Sequence, residues 1–344
     1  MIKELTSLRF IFILAIFIHH LDIYEGGGSM GVAFFFVLSG FSLTLGYGEK
    51  ILNQDFSYKK YIKKRLFKFY PIHWLCLLIS IPIVLIEGHW ITPAFLANVA
   101  LLQTWIPISD FYFSFNSVSW YLADTVFLAL VFPCLCRLLA KRSDKWRALF
   151  ICALILLYAL TQVALYSKNV YAFIYINPVS RIPDFIFGMM MAFIYKDLKL
   201  SANYKSIQRN VEDKKSIILF ACFALIACLV YVSTLLSKHQ ASMAFYYWPF
   251  VILIIWGASL LGICTKSNIL RHRILVYLGG ASFEFYMLHQ LIIRYCVYVQ
   301  EQLLGCSNLM LTAGVGFVLS LTLSVIVKKY FEDNISKRLL NRLE

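Results

Sequence analysis

Long apolar runs alternate along this chain with short polar or basic stretches. A helix that crosses the hydrocarbon core needs roughly 20 mostly apolar residues, and about ten runs have that length. They lie near 8–25, 30–47, 70–88, 118–138, 148–166, 176–195, 216–236, 243–264, 277–300 and 309–329. A further apolar stretch, Thr92 to Ile106, is short and lies between Pro93 and Pro107. It reads as a re-entrant or surface-lying helix. The pattern therefore predicts an all-α, polytopic membrane helix bundle of about ten transmembrane helices. No internal repeat and no low-complexity tract interrupts it.

The basic residues decide between ten and eleven crossings, because cytoplasmic loops collect Lys and Arg. With ten spans and the N-terminus inside, nearly all of the 32 Lys and Arg residues fall in cytoplasmic segments. The exceptions are Lys168 and Lys238 outside, and Arg9, Arg181 and Arg294 within spans. An eleventh crossing would reverse every later loop and destroy this segregation, so both termini are expected in the cytoplasm. Composition agrees: 60% hydrophobic, 15% charged and a mean hydropathy of +0.73 exclude a soluble globular domain. The net charge of +14 is explained by basic loops facing anionic lipid headgroups, so the bilayer is the expected partner and nucleic acid is not. The N-terminus has a weak basic flank, Lys3, and no small-residue cleavage site, so it is kept as the first helix rather than a secretory signal. Nine cysteines, mostly within spans and with no CxxC pair, read as packing residues. Residues 1–332 are read as one membrane domain and 333–344 as a short cytoplasmic tail, with no appended soluble domain.

Ionisable groups inside a span are expensive and usually line a site. The segment LRFIFILAIFIHH (Leu8 to His20) carries three. At ~100° per residue, the step from Arg9 to His20 is about 1100°, or three turns plus ~20°, so the two share one face about 16 Å apart along the axis. His19 lies about 80° off that line and is expected to pack against a neighbouring helix or cap a polar contact. Arg9 sits toward the cytoplasm and His20 toward the outer third. The segment NSVSWYLADTVF brings Asn116, Ser119, Trp120 and Asp124 near the outer surface. In NPVSRIPDFIFGMMMA, Arg181 and Asp184 are three apart and able to pair, so a structural ion pair competes with a functional role. In GGASFEFYMLHQLIIRY, Glu284 lies in the inner part and Tyr286 and His289 share a face; His289 reads equally well as structural. Before the third span, Lys59, Lys60, Lys63 and Lys64 are ordinary positive-inside flank. Arg65 and Lys68, closest to the membrane, are better placed to hold phosphates.

Taken in order, these segments resemble the acyltransferase-3 family of integral-membrane O-acyltransferases nearly end to end. The family's Arg and His, separated by ten residues, match Arg9 and His20. GVAFFFVLSGFSL resembles its FFxLSG motif, carried by Phe35, Phe36, Ser39 and Gly40. KRLFKFYP is similar to its RxxR motif before proline, with Lys68 in place of the second arginine. NSVSWYLADTVF resembles its WYLS-type or WSLSxE-type segment, with Ala123 in place of the serine and Asp124 off the acidic position. SRIPDFIFGM and ASFEFYMLHQ match the R-x-x-x-F-x-x-G and S-x-x-x-Y-x-L-H blocks.

The resemblance implies transfer of an acyl group, commonly acetyl, from cytoplasmic acyl-CoA to a hydroxyl of an envelope or exported glycan or a related small molecule. The enzyme would be a multi-pass protein of the cell membrane, without a metal, working beside separate glycan-assembly proteins. Its catalytic residues would be His20 and Arg9, and acyl-CoA would be held at Arg65, Lys68, Ser39 and Gly40. Trp120, Asp124, Arg181, Asp184, Tyr286 and His289 would support the site or meet the acceptor. With an ordinary pKa near 6.5, His20 suits a general base at neutral pH. Ser39, Tyr286 and His289 are candidate oxyanion donors, a covalent acyl-His intermediate stays open, and Asp184 or Asp124 is a candidate to orient His20. The alternative reading is a transporter or flippase of a lipid-linked glycan that uses the buried Arg, His and Asp residues. The lack of an inverted repeat or of paired broken helices counts against it. A non-catalytic scaffold held by polar contacts is the third class.

Overall fold

A computed structural model describes residues 2–53, 56–140, 171–238 and 244–330, with a few isolated positions between 146 and 160. Among the described residues there are helices and no strand. In chain order we label α1 Lys3–His19, α2 Gly27–Leu52, α3 Tyr58–Ile86, α4 Thr92–Val99, α5 Ser119–Ala140 and α6 Ile182–Leu200. They are followed by α7 Tyr204–Asp213, α8 Lys215–Lys238, α9 Trp248–Leu261, α10 Arg273–Gly280, α11 Ser282–Tyr298 and α12 Leu309–Val327. Five helices, α2, α3, α5, α8 and α12, are long and apolar enough to cross a membrane. The other intramembrane candidates fall short for identifiable reasons: α1 and α11 have 17 residues, α9 has 14, and α6 carries Asp184, Lys196, Asp197 and Lys199. The span expected at 148–166 lies largely outside the described residues, as does the tail at 333–344.

Burial orders these helices. In α2, 72% of the most apolar window is buried, against 17% in α8 and 22% in α12. Apolar on every side, α2 occupies the centre, whereas α8 and α12 turn most of their surface outward, as lipid-facing helices do. Two glycines weld α2 to α6. A Cβ on Gly40 would stand 1.9 Å from the Phe185 carbonyl oxygen, and one on Gly188 would stand 1.8 Å from that of Val37. The two backbones touch, as small residues permit between membrane helices.

The structure moves two of the expected boundaries. The first helix starts and ends about five residues earlier than the apolar run 8–25 suggests. Its early start is made possible by Glu4, which is buried yet paired with Arg271 at 2.5 Å and with Asn268 at 2.9 Å. Its end comes where Asp22 adopts a left-handed φ of 57°, so His20 caps the helix instead of lying within it. The expected span 277–300 is broken at Ala281 into α10 and α11, with Gly279 pressed on the α1 backbone, where a Cβ would meet the Thr6 carbonyl oxygen at 1.8 Å.

The stretch Thr92 to Ile106 forms the two-turn α4 and a short 3-10 turn, Gln103–Trp105, too short to cross. Three side chains of α3 donate to its backbone: His73 to the Asn98 carbonyl at 2.7 Å, Tyr70 to that of Ala100 at 3.0 Å and Trp74 to that of Val99 at 3.1 Å. Those bonds fix the loop against the middle of α3.

Candidate functional site

Two cavities enter the bundle from opposite ends. The first, about 980 Å³, is lined by the N-terminal part of α1, by α2, by the basic start of α3, and by the C-terminal end of α6. Its cations are Lys3, Arg9, Arg65, Lys68, Lys196, Lys199 and Arg271, against two acids, Glu4 and Glu49. Ser39, Tyr121 and Tyr286 line it further in. Arg65 is held by stacking, with its guanidinium 4.5 Å from the Tyr47 ring centroid and 5.5 Å from that of Tyr61. Arg271 is committed to Glu4 and to the last carbonyls of α9, at 3.1 Å from Leu261 and 3.2 Å from Gly262. The structure thus brings Arg9, Arg65, Lys68, Ser39 and Tyr286 to one basic cavity. Gly40, expected with Ser39 at the acyl-CoA site, turns away: its bare Cα lies against Phe185, and close helix packing accounts for it.

The second cavity, about 700 Å³, is lined by His20, Trp120, Gln290, Arg294 and the segments 88–91 and 109–118. Its chemistry is different. Aromatic rings (Trp90, Phe113, Phe115, Trp120) and neutral polar groups (Ser109, Ser114, Ser117, Gln290) share the wall with Asp110, His89 and Arg294. Arg294, the one Lys or Arg in its wall among the described residues, donates to Glu87 at 2.5 Å and to the Phe115 carbonyl at 2.6 Å, and the Ser117 hydroxyl donates to Gln290.

Between the cavities lies a thin wall in which residues of one lining touch residues of the other. Trp120 faces the second cavity and its neighbour Tyr121 the first. Tyr286, lining the first, donates its hydroxyl at 3.0 Å to the carbonyl of Val118, which lines the second. Helix α1 bridges the wall lengthwise, with Arg9 at the basic cavity and His20 at the aromatic one.

The hydrogen bonds around His20 set its tautomer. Its Nδ1 is 2.9 Å from the Ile16 carbonyl oxygen and 3.2 Å from Nε2 of the fully buried His289. His289 Nδ1 in turn is 2.7 Å from the Tyr286 carbonyl and 3.2 Å from that of Phe285. Carbonyls only accept, so in the neutral pair both Nδ1 atoms carry hydrogen, and His289 Nε2 accepts from His20. That leaves His20 Nε2 as a lone pair. The partner that orients His20 is His289, and neither Asp124 nor Asp184 takes that place. His19 instead lies over Gly28 of α2, where a Cβ would meet its ring at 2.5 Å.

The remaining acidic and basic candidates form a separate buried group. Arg181, with no exposed surface, lies 3.6 Å from Asp184, donates to the Tyr175 carbonyl at 2.8 Å, and stacks 4.2 Å from the Tyr175 ring. Asp184 also accepts from Trp248 at 2.7 Å, and Asp124, equally buried, lies in the field of Arg181 beside Thr104. Among the described residues, Arg181, Asp124 and Asp184 line neither cavity. Their link to the site is through Trp120, 5.9 Å from the Arg181 guanidinium.

Sequence reasoning passed over Lys196, Lys199, Tyr121, Trp90, Gln290 and Arg294 as site residues. Arg294 did carry a signal, being one of three arginines within predicted spans, and an ionisable residue at that depth marks a site. The loop residues carried none, because 88–117 has no periodicity to read.

Comparison with known proteins agrees with this geometry. A family model described as Acyltransferase domain (Acyl_transf_3) matches residues 2–329. "Acyltransferase MdmB" of Streptomyces mycarofaciens is 26% identical over 95% of this chain and 88% of its own length. "O-acetyltransferase OatA" of Staphylococcus aureus is 25% identical, and "Peptidoglycan O-acetyltransferase OatA" of Listeria monocytogenes is 24% identical, each over 87% of this chain. The chain spans only about half the length of those two relatives, 52% and 50% respectively. No solved structure matches it. With a match that covers nearly its whole length, the chain belongs to the Acyl_transf_3 family and is a membrane-embedded acyltransferase.

Proposed function

We propose that this acyltransferase moves an acyl group, acetyl in the simplest case, from cytoplasmic acyl-CoA to a hydroxyl of an envelope or exported glycan, with His20 as general base. The protein crosses the cell membrane about ten times with both termini in the cytoplasm, the arrangement favoured by the distribution of Lys and Arg. One observation carries the reading: Arg9 within α1 and His20 at its C-cap open onto two cavities of different chemistry whose linings touch.

Each side has a task. The basic cavity takes the polyanionic end of the donor at Arg65 and Lys68, while the slender pantetheine arm runs past Arg9 toward the partition. The aromatic cavity takes the acceptor, with rings to flank a sugar and neutral polar groups to pair with its hydroxyls. His20 Nε2 removes the hydroxyl proton as the oxygen attacks the thioester carbonyl. The tetrahedral oxyanion then collapses, the C–S bond breaks, and the CoA sulfur leaves and takes up a proton. Tyr286, whose hydroxyl stands in the partition, is the candidate donor for the oxyanion, and serves it by giving up its bond to the Val118 carbonyl. His289 keeps the reactive nitrogen of His20 unprotonated by accepting from the other one. The relatives named O-acetyltransferase support the choice of a hydroxyl acceptor and an acetyl group.

Transfer of label from isotopic acetyl-CoA to host glycan, in membranes carrying the wild type, His20→Ala, Arg9→Ala and His19→Ala, tests the reading. Label should reach glycan in the wild type and His19→Ala alone. If acetyl-CoA is discharged by none of them while glycan export follows the protein, a transporter replaces the enzyme reading.

A further inference from the structure

The basic cavity has a wall that the reaction described so far does not use. Lys196 and Lys199, three residues apart on α6, share a face and both line the cavity, across from Arg65 and Lys68 on α3. Lys196 Nζ sits 3.1 Å from the carboxylate of Glu49, whose side chain is 81% exposed, a pairing that water screens heavily. Lys199 Nζ lies 5.1 Å from the ring centroid of Tyr195.

Tyr195 is the telling residue. It lines the same cavity and is 2% exposed, yet its hydroxyl makes no hydrogen bond. A buried hydroxyl left unpaired is costly, and native proteins keep such groups chiefly where something else satisfies them. Two lysines near a helix C-terminus are ordinary by themselves, since they complement the dipole and flank the membrane. An orphaned buried donor lining the same cavity is not explained that way. Cationic heads and an unpaired O–H on one cavity wall are the chemistry of a phosphate site.

We propose that Tyr195, Lys196 and Lys199 form a second anion subsite, distinct from Arg65 and Lys68, that holds the 3′-phosphate of a nucleotide-bearing thioester donor. This rests on the reading of the basic cavity as the acyl-CoA site and adds to it. Acyl-CoA carries its negative charge in two places, a diphosphate next to the pantetheine arm and a monoester on the ribose. Two separate basic walls match that division. The arm must run inward past Arg9, so the diphosphate belongs to Arg65 and Lys68 at the membrane end of α3, and the ribose phosphate is left for the end of α6. A donor whose acyl-phosphopantetheine is carried on a protein has no ribose phosphate and would leave the α6 wall unused.

Binding of acetyl-CoA and of 3′-dephospho-acetyl-CoA to the purified full-length protein in lipid nanodiscs tests the assignment. Wild type should prefer acetyl-CoA by about tenfold, the worth of a charge-assisted hydrogen bond. Lys196→Met with Lys199→Met should abolish the preference while leaving the affinity for the dephospho compound as in wild type, which also shows that the variant is folded. Tyr195→Phe should lower the preference about threefold. Arg65→Met should weaken both ligands and keep the preference. The subsite is overturned if the double lysine variant retains the wild-type preference, or if Arg65→Met is what removes it. Should wild type bind neither compound, the acyl-CoA reading falls, and the subsite falls with it.

Discussion

The two cavities recognise different things. The basic one, about 980 Å³, is walled by long, flexible cations that meet charge wherever it is offered. The aromatic one, about 700 Å³, is walled largely by rings and neutral polar groups, and its arginine, Arg294, is tied to Glu87 and a carbonyl. In the proposed reaction the first would select by charge and tolerate displacement, whereas the second would select by shape and by hydroxyl position. Among the described residues, four helices, α1, α3, α5 and α11, line both, and α1 contributes Arg9 to the first and His20 to the second.

The strongest way to break this division is at His20. His20→Ala should lower acyl transfer about 10²- to 10⁴-fold, the usual worth of a general base, with the acetyl-CoA KM unchanged. A large rise in that KM instead would move His20 to the donor side. Next is the group that belongs to neither cavity. Asp184→Ala leaves Arg181 short of a buried partner and should cost about 3–5 kcal/mol of stability, read as a fall in Tm, with both KM values kept in the protein that survives. A selective KM change would place the cluster in the site.

His289 sharpens the picture of the base. Leucine there removes the acceptor for His20 Nδ1–H and should reduce kcat about ten- to hundredfold. Glutamine, which puts an oxygen near the Nε2 position, should recover most of it; equal losses would mean that His289 only fills space. A smaller effect is expected at the acceptor cavity, where Gln290→Ala should raise the acceptor KM about fivefold and leave that of the donor alone. His19→Ala, which trims a ring lying over Gly28, should stay within about twofold of wild type in transfer.

Much of this arrangement is legible in the chain. Helical spacing alone pairs Arg9 with His20 and separates His19, and the residues nearest the membrane in the basic run, Arg65 and Lys68, do line the basic cavity. What the chain does not display is what depends on a partner elsewhere in the sequence. Glu4 extends α1 only because Arg271 and Asn268 reach it from more than 260 positions away. The break at Ala281 is set by where Gly279 meets α1, not by a proline or a charge. His289 looks like any buried histidine until His20 is found beside it. Asp184 is legible by halves: its three-residue spacing from Arg181 announces the ion pair, but nothing local says that Trp248 also engages it.

The thin partition has an electrical consequence. Where two open cavities approach so closely, most of the membrane potential falls across the residues between them instead of across the full bilayer. In the proposed reaction the acyl group leaves sulfur as a formal cation, its bonding electrons staying behind, and the proton of the acceptor hydroxyl finally replaces it there. One cation passes outward and one inward, so a turnover moves no net charge through the field. A cell that lost its voltage would go on acylating its surface at an unchanged rate while its acyl-CoA pool lasted.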